Sequence, residues 1–367
     1  MMKKNSANNI RIIHEYARYL KDAKRQDDST IDGALKSINR FEECTGYIDF
    51  KKFRAKHAIA FKKYLMGKQS IVTGEKLSKA TVLTATRHMK AFFQYLGTQK
   101  GYRAKINHSD IDYFNLSEKD TRIANAKRTR SVSTIEQVTQ TLESMPYSTD
   151  IEMRDRALVA FVILTGARDG AVASAKIKHI DLVEQSFYQD ARDVNTKFSK
   201  TFTTYFFPVG ELPLRILTEW VDYLVQELGF KQNSPLFPKT KLAHNANQQF
   251  EVVGLLEEHW SKATPIRKAF AKAFEAAGLP YFNPHSFRNT LVRLGERLCR
   301  TPEKFKAWSQ NLGHESVLTS FYSYGDVPDY KQAELLRKLA KPAEGTSPDM
   351  EEQFKQFMQF QQMMGNK

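Results

Sequence analysis

Apolar residues recur at helical spacing through most of the first third of the chain. "IRIIHEYARYLKDAKR" places Ile12, Ile13, Tyr16, Tyr19 and Leu20 on one stripe with lysines and arginines around it. "TIDGALKSINRFEECTG" reads as a second helix, opening at Thr30 as N-cap and closing at Gly46. "HAIAFKKYLMGK" is a third. "LSKATVLTATRHMKAFFQYLGTQKG" is a fourth, with Ser78 as N-cap and Gly97 as stop. Its core positions are Val82, Leu83, Met89, Phe92, Phe93 and Leu96, which leaves Lys79, Arg87 and Lys90 on the other faces. A bundle with such a basic side is either a plain bundle or a small platform for gripping DNA.

The pattern then lapses. Residues 117–134, "SEKDTRIANAKRTRSVST", lack apolar periodicity and read as a linker, with a domain boundary near residue 125. Lys127, Arg128 and Arg130 lie where the chain crosses between domains, in either a merely soluble linker or one that touches phosphates, a contact that salt would weaken.

From Ser133 the periods mix. "TIEQVTQTLESM" and "EMRDRALVAFVILTGARDGAVASA" are helical; "HIDLVEQSFYQDARDVNTKFSKTFTTYFFPVG" alternates and predicts short strands with turns. "LPLRILTEWVDYLVQELG" and "ATPIRKAFAKAFEAAGL" return to helix, and "NPHSFRNTLVRLGERLC" starts another with Pro284 near its first position. The expected organisation is a helical domain at 1–120, a basic linker at 121–132, a mixed domain at 133–340, and a linker with an amphipathic tail at 341–367. In that tail Phe354, Phe357, Met358 and Gln361 share helical spacing, a sticky face that is either packed in cis, left disordered or a docking surface.

Composition narrows the partners. The net charge is +15, from 56 Lys+Arg against 41 Asp+Glu, and a chain this basic ordinarily meets a polyanion. Two distant cysteines, Cys44 and Cys299, exclude a disulfide scaffold and suit a reducing cytoplasm. No apolar run approaches a bilayer span, so no membrane partner is expected.

Five stretches offer cationic or nucleophilic groups at element edges. "TGARDGAVASAK" holds Arg168 at a helix-to-helix turn; "KFSKTFTTYFFPV" holds Lys197 and Lys200 beside a hairpin; "PHSFRNT" sets His285 and Arg288 on one helical face; "LGHES" holds His314; "SFYSYG" holds Tyr322 and Tyr324. Each alone is more often a salt-bridge partner, a cap or packing. In this order, after a basic helical domain, they resemble the tyrosine recombinases, the phage-integrase group. "LTGARDGAVASAKIKHID" is similar to the family box "TGxRxxELxxLxxxDI", "PHSFRNT" to "HxLRHT", "NLGHES" to "xLGHxS", and residues 78–96 to the last helix of a core-binding domain.

The resemblance implies a mainly α fold with a small β-sheet: an N-terminal helical core-binding (SAM-like) domain and a mixed α/β catalytic domain, closing as a C-shaped clamp on DNA. It implies catalytic Arg168, Lys200, His285, Arg288, His314 and Tyr324, with Lys197 as the alternative lysine. Tyr322 and Tyr324 differ by about 200° around a helix, so only one faces a given phosphate; family members ending in "TSYG" carry the tyrosine one place after the commonest position, which fits Tyr324. Lys79, Arg87, Lys90, Lys127, Arg128 and Arg130 are the expected DNA contacts. Neither metal nor other cofactor is implied, and the sequence offers no carboxylate cluster suited to Mg²⁺.

Three departures stand out. Ala171 occupies the place of an acidic residue, so Arg168 needs another brace, with Asp169 the candidate; Asn289 stands where a histidine is usual; and Ser323 stands at the commonest tyrosine position. The implied partners are double-stranded recombination sites and a homotetramer on DNA, with a DNA-bending or directionality factor a further candidate, in a bacterial cytoplasm. The implied activity is site-specific integration or excision of a mobile element through a 3′-phosphotyrosine. A catalytically inactive DNA-binding relative and a type IB topoisomerase are the alternatives.

Overall fold

The computed structural model describes residues 7–70, 73–126, 131–244 and 250–314. The chain divides into two compact units, 1–128 and 129–367.

The first unit is helical. It comprises α1 (Ala7–Arg18, prolonged by a π turn to Ala23), α2 (Asp28–Thr45), α3 (Ala55–Gly67), α4 (Lys79–Leu96), the single turn α5 (His108–Ile111) and α6 (Glu118–Asn125). Its core is a phenylalanine cluster. Phe53 stacks on Phe93 at 3.8 Å between ring centroids and on Phe114 at 5.5 Å, while Phe41 meets Phe61 and Phe93 edge-on. Ser78 caps α4 as its sequence predicts, accepting from the Thr81 N–H, and Gly46 ends α2 in the left-handed region.

Two expectations are corrected here. α2 begins after Asp27, not at Thr30, which lies inside the helix. The stretch read as linker carries α6, capped by Ser117, whose side chain accepts from the Asp120 N–H. α6 has no buried residue, so no apolar stripe announces it. Its Asp120 pairs instead with Lys79 of α4 at 2.9 Å.

The second unit surrounds one helix. It runs α7 (Ile135–Ser144), α8 (Asp150–Thr165), α9 (Asp169–Ser174), β1 (Ile180–Asp181), β2 (Ser186–Gln189), β3 (Phe202–Tyr205), α10 (Glu211–Asp222), β4 (Lys239–His244), β5 (Phe250–Leu256), α11 (Thr264–Ala276), α12 (Ser286–Leu298) and α13 (Pro302–Asn311). Every residue of α8 from Ala157 to Thr165 is buried, because α7, α10, α11 and α12 all pack around it. β1, β2 and β3 form an antiparallel sheet in that order, with Phe187 opposite Ile180 on one side and Thr204 on the other.

β4 and β5 make a separate hairpin that the residue pattern did not predict. α12 starts at Ser286, two residues after Pro284, so the proline precedes the helix instead of occupying its first turn. Among the described residues no helix is long and apolar enough to cross a membrane.

Candidate active site

The buried helix α8 fixes the first arginine. A capping box starts it: Thr149 accepts from the Glu152 N–H, and the Glu152 carboxylate accepts from the Thr149 N–H. Gly166 ends it at φ +59°, and a Cβ there would sit 2.8 Å from Leu312 Cδ2. Both the left-handed backbone and the close approach therefore require glycine. Two residues on, Arg168 takes the N-cap position of α9. It is half-buried, and among the described residues its guanidinium has no hydrogen bond or ion pair; burial pushes its pKa down. Asp169 does not brace it, contrary to expectation. That carboxylate accepts from Arg267 Nε at 3.2 Å and Nη2 at 3.1 Å. Ala171 is 2% exposed within the core, where a carboxylate would be stripped of water.

α12 supplies the next pair. His285 stands at its N-cap and stays exposed, while Arg288, one turn further, is buried. Arg288 Nη1 donates to the Gly166 carbonyl at 2.6 Å. Its Nη2 donates to the Leu312 carbonyl at 2.6 Å and lies 2.9 Å from His314 Nε2. A guanidinium only donates, so His314 Nε2 accepts and its imidazole carries the proton on Nδ1. Three of the five N–H groups of Arg288 are thus committed, and the other two have no partner among the described residues.

Asn311 and Gly313 set the turn that carries His314. Gly313 has φ +70°, and a Cβ on it would lie 2.6 Å from Phe202 Cζ, so the turn is pressed against β3. β3 is an edge strand, and Asn311 completes its pairing. The Asn311 side chain accepts from the Tyr205 N–H at 2.8 Å and donates to the Tyr205 carbonyl at 2.7 Å, while its own carbonyl accepts from Thr204 Oγ1. The strand that follows Lys200 and the turn that holds His314 are therefore one unit. Asn311→Ala is expected to lose both bonds and detach the lysine hairpin from the histidine turn. The predicted result is DNA cleavage about tenfold slower with a thermal midpoint lower by a few degrees; unchanged cleavage kinetics would remove Asn311 from the site.

The electrostatics join these pieces. His314 is pushed down to about 4, by burial first and then by Arg288, Arg168, His285 and Lys200. His285 is pushed down by partial burial, then by Arg288 and Arg168, with Lys197 adding to the effect. Burial and then Arg168 lower Arg288, although a guanidinium stays charged at neutral pH. Arg168, His285, Arg288 and His314 thus share one electrostatic cluster, to which Lys200 adds at His314 and Lys197 at His285. The result is a positively charged cluster of neutral imidazoles and cations, which suits an anion. Among the described residues no three His, Cys, Asp or Glu side chains converge on one point.

The comparisons with known proteins bear on this arrangement. A family model described as "Phage integrase family" matches residues 131–327, more than half of the chain. The chain belongs to the phage integrase family, the tyrosine recombinases. No curated protein sequence matches it. A lambda integrase dimer bound to a COC′ core site is 15% identical, with a TM-score of 0.57 over 87% of this chain and 96% of that one. A lambda integrase tetramer bound to a Holliday junction is 14% identical, with a TM-score of 0.57 over 92% and 80%. The Tn1549 transposon integrase in complex with a circular intermediate DNA is 14% identical, with a TM-score of 0.57 over 90% and 99%. At these identities the likeness is one of fold.

Other expected residues of this tyrosine recombinase fall elsewhere. Tyr322 and Tyr324, Lys127, Arg128 and Arg130, and the tail at 341–367 lie outside the described residues. In the first unit Lys90 pairs with Asp112 at 2.9 Å and donates to Asn115, and Lys79 pairs with Asp120, so neither is a free cation. Arg87 is exposed without a partner among the described residues. Lys36 and Arg40, one turn apart on the polar face of α2, line a groove between α2 and α4 with Thr81 and Thr84.

Proposed function

We propose that the chain is a site-specific recombinase that cleaves and rejoins double-stranded DNA through a 3′-phosphotyrosine, moving a mobile element into or out of its site. The carrying observation is the convergence of Arg168 and Arg288, with guanidinium donors to spare, on two imidazoles kept neutral. Phosphodiester exchange spreads negative charge over the non-bridging oxygens, and planar guanidinium groups match those oxygens in charge and shape.

In this reading Tyr324 Oη attacks phosphorus and its proton passes to His285. A phenol titrates near 10 and needs such an acceptor; an imidazole held below its usual range is unprotonated and ready. The bond from phosphorus to the 5′ oxygen breaks, and Lys200 protonates that leaving oxygen, with Lys197 the alternative donor. His314, with its proton on Nδ1, donates to a phosphate oxygen. The covalent bond to tyrosine preserves the linkage, so a 5′-hydroxyl from a second duplex religates it without an external energy source. Strand exchange between paired sites implies a homotetramer, with the tail at 341–367 docking on a neighbouring copy and accessory bending or directionality proteins as further partners.

A duplex selected from a random pool by the full chain, then nicked near its centre, tests the reading. Wild type is expected to give a covalent protein–DNA adduct on a denaturing gel that Tyr324→Phe abolishes and Tyr322→Phe leaves intact. Loss only with Tyr322→Phe would keep the reaction and change its nucleophile. Tight binding with no adduct from wild type would instead establish an inactive DNA-binding relative, the reading that the unbraced Arg168 favours.

A further inference from the structure

The loop that holds the two candidate lysines also holds the most exposed aromatic ring among the described residues. Phe198 is 81% exposed. It lies at φ +61° and the next residue, Ser199, at φ +51°, so two consecutive non-glycine residues are left-handed. Each such residue costs about 1–2 kcal/mol, and a bulky aromatic is a rare occupant of that region. Among the described residues the ring belongs to neither apolar core, and the left-handed backbone holds it in the open.

Both ends of the loop are fixed. Asp193 is gripped by Lys176 at 2.8 Å and Lys178 at 2.6 Å, and the Asn195 N–H donates to Ser174 Oγ of α9 at 2.7 Å. On the far side Thr201 Oγ1 accepts from the Ala191 N–H at 3.1 Å, and β3 is tied to Asn311. Between these anchors Phe198 is bracketed by Lys197, whose Nζ lies 4.7 Å from the ring centroid, and by Lys200. The loop's ends touch the segments that carry the cluster: a Cβ on Gly170, two residues after Arg168, would lie 3.0 Å from the Asn195 carbonyl oxygen, and one on Gly313, next to His314, would lie 2.6 Å from Phe202 Cζ, so the ring stands at the border of the cluster. A surface that gathers phosphates with cations and offers one strained, outward apolar ring matches a DNA groove, where apolar side chains pack on sugars and bases.

We infer that Phe198 is a DNA-contacting residue whose ring enters the groove beside the phosphate held by Arg168 and Arg288. The inference rests on the DNA-recombinase reading. Its test is photocrosslinking of the full chain with p-benzoylphenylalanine in place of Phe198, on the selected duplex. Val183, in the same unit and 91% exposed, carries the probe as control. Strong crosslinking from position 198 and only background from 183 is the expected result.

Phe198→Gly separates the ring from the backbone, since glycine accepts the left-handed conformation freely. It is expected to form adduct about tenfold more slowly, the lower end of what an aromatic contact to a base contributes, with a thermal midpoint unchanged or raised. A gel shift that persists without crosslinking above the control overturns the inference, as does a Phe198→Gly chain that unfolds at lower temperature. Crosslinking from 198 by a wild type that forms no adduct would uphold the contact while sinking the cleavage reading.

Discussion

Arg168→Ala and Arg288→Ala should both lower adduct formation by about 10³-fold or more, the scale seen when a guanidinium that stabilises phosphoryl-transfer charge is removed, and yet differ sharply in folding stability. Arg288 bridges three segments, donating to the carbonyls of Gly166 and Leu312 and to His314. Truncation leaves two buried carbonyls without donors, at about 1–3 kcal/mol each. Arg288→Ala should therefore unfold at a midpoint roughly 10 °C or more lower. Arg168 makes no such bonds among the described residues, and its charge opposes that of Arg288. Arg168→Ala should leave the midpoint unchanged or slightly raised. Arg288→Lys keeps a charge but cannot span three acceptors, and should recover little of either property. Paired melting curves and adduct rates check this. Equal destabilisation by the two alanine variants would mean that Arg168 too is a structural link.

The places of Arg168, His285 and Arg288 on their elements were legible for local reasons, while their selection as site residues rested on the family resemblance. A glycine that must end a buried helix marks the turn before Arg168, and the spacing of three puts His285 and Arg288 one above the other. Asn311 was not legible, because its partner Tyr205 lies 106 positions away and no periodicity links an edge strand to a distant amide. The β4–β5 hairpin escaped for a different reason. Leu242, Phe250, Val252 and Val253 are all at least half exposed, so the strands lack the half-buried alternation that marks a sheet. α6 escaped because a helix with no buried side chain carries no stripe. The brace assigned to Asp169 failed because nearness in sequence was used where geometry decides: the carboxylate turns to Arg267, 98 positions on. Sequence reading also set Lys79 and Lys90 on the polar faces of α4 without seeing the carboxylates that α6 and the turn after α5 bring to them.

His314 should make the protein's stability depend on pH between about 6.5 and 4. Its imidazole titrates near 6.5 when unconstrained and is pushed down to about 4 in the fold, by burial and then by Arg288. As pH falls through 6.5 the unfolded chain takes up this proton and the folded chain does not. Stability from this group is therefore full above 6.5, declines down to about 4, and is flat below. The limit of the loss is about 3 kcal/mol, at 1.36 kcal/mol for each unit between the two values.

His314→Gln keeps an acceptor for Arg288 and removes the titration. Urea unfolding of both proteins across this window should give curves that converge as pH falls, since the histidines outside this cluster are the same in each. Parallel curves would mean that His314 is not held neutral. Bound DNA should act in the opposite sense, because a phosphate beside Arg168, Arg288 and His314 supplies a negative charge that the cluster's own side chains do not, and raises the histidine. Proton uptake on DNA binding near pH 5.5, present in wild type and lost in His314→Gln, would place the phosphate against this imidazole. Uptake equal in both proteins would place it elsewhere.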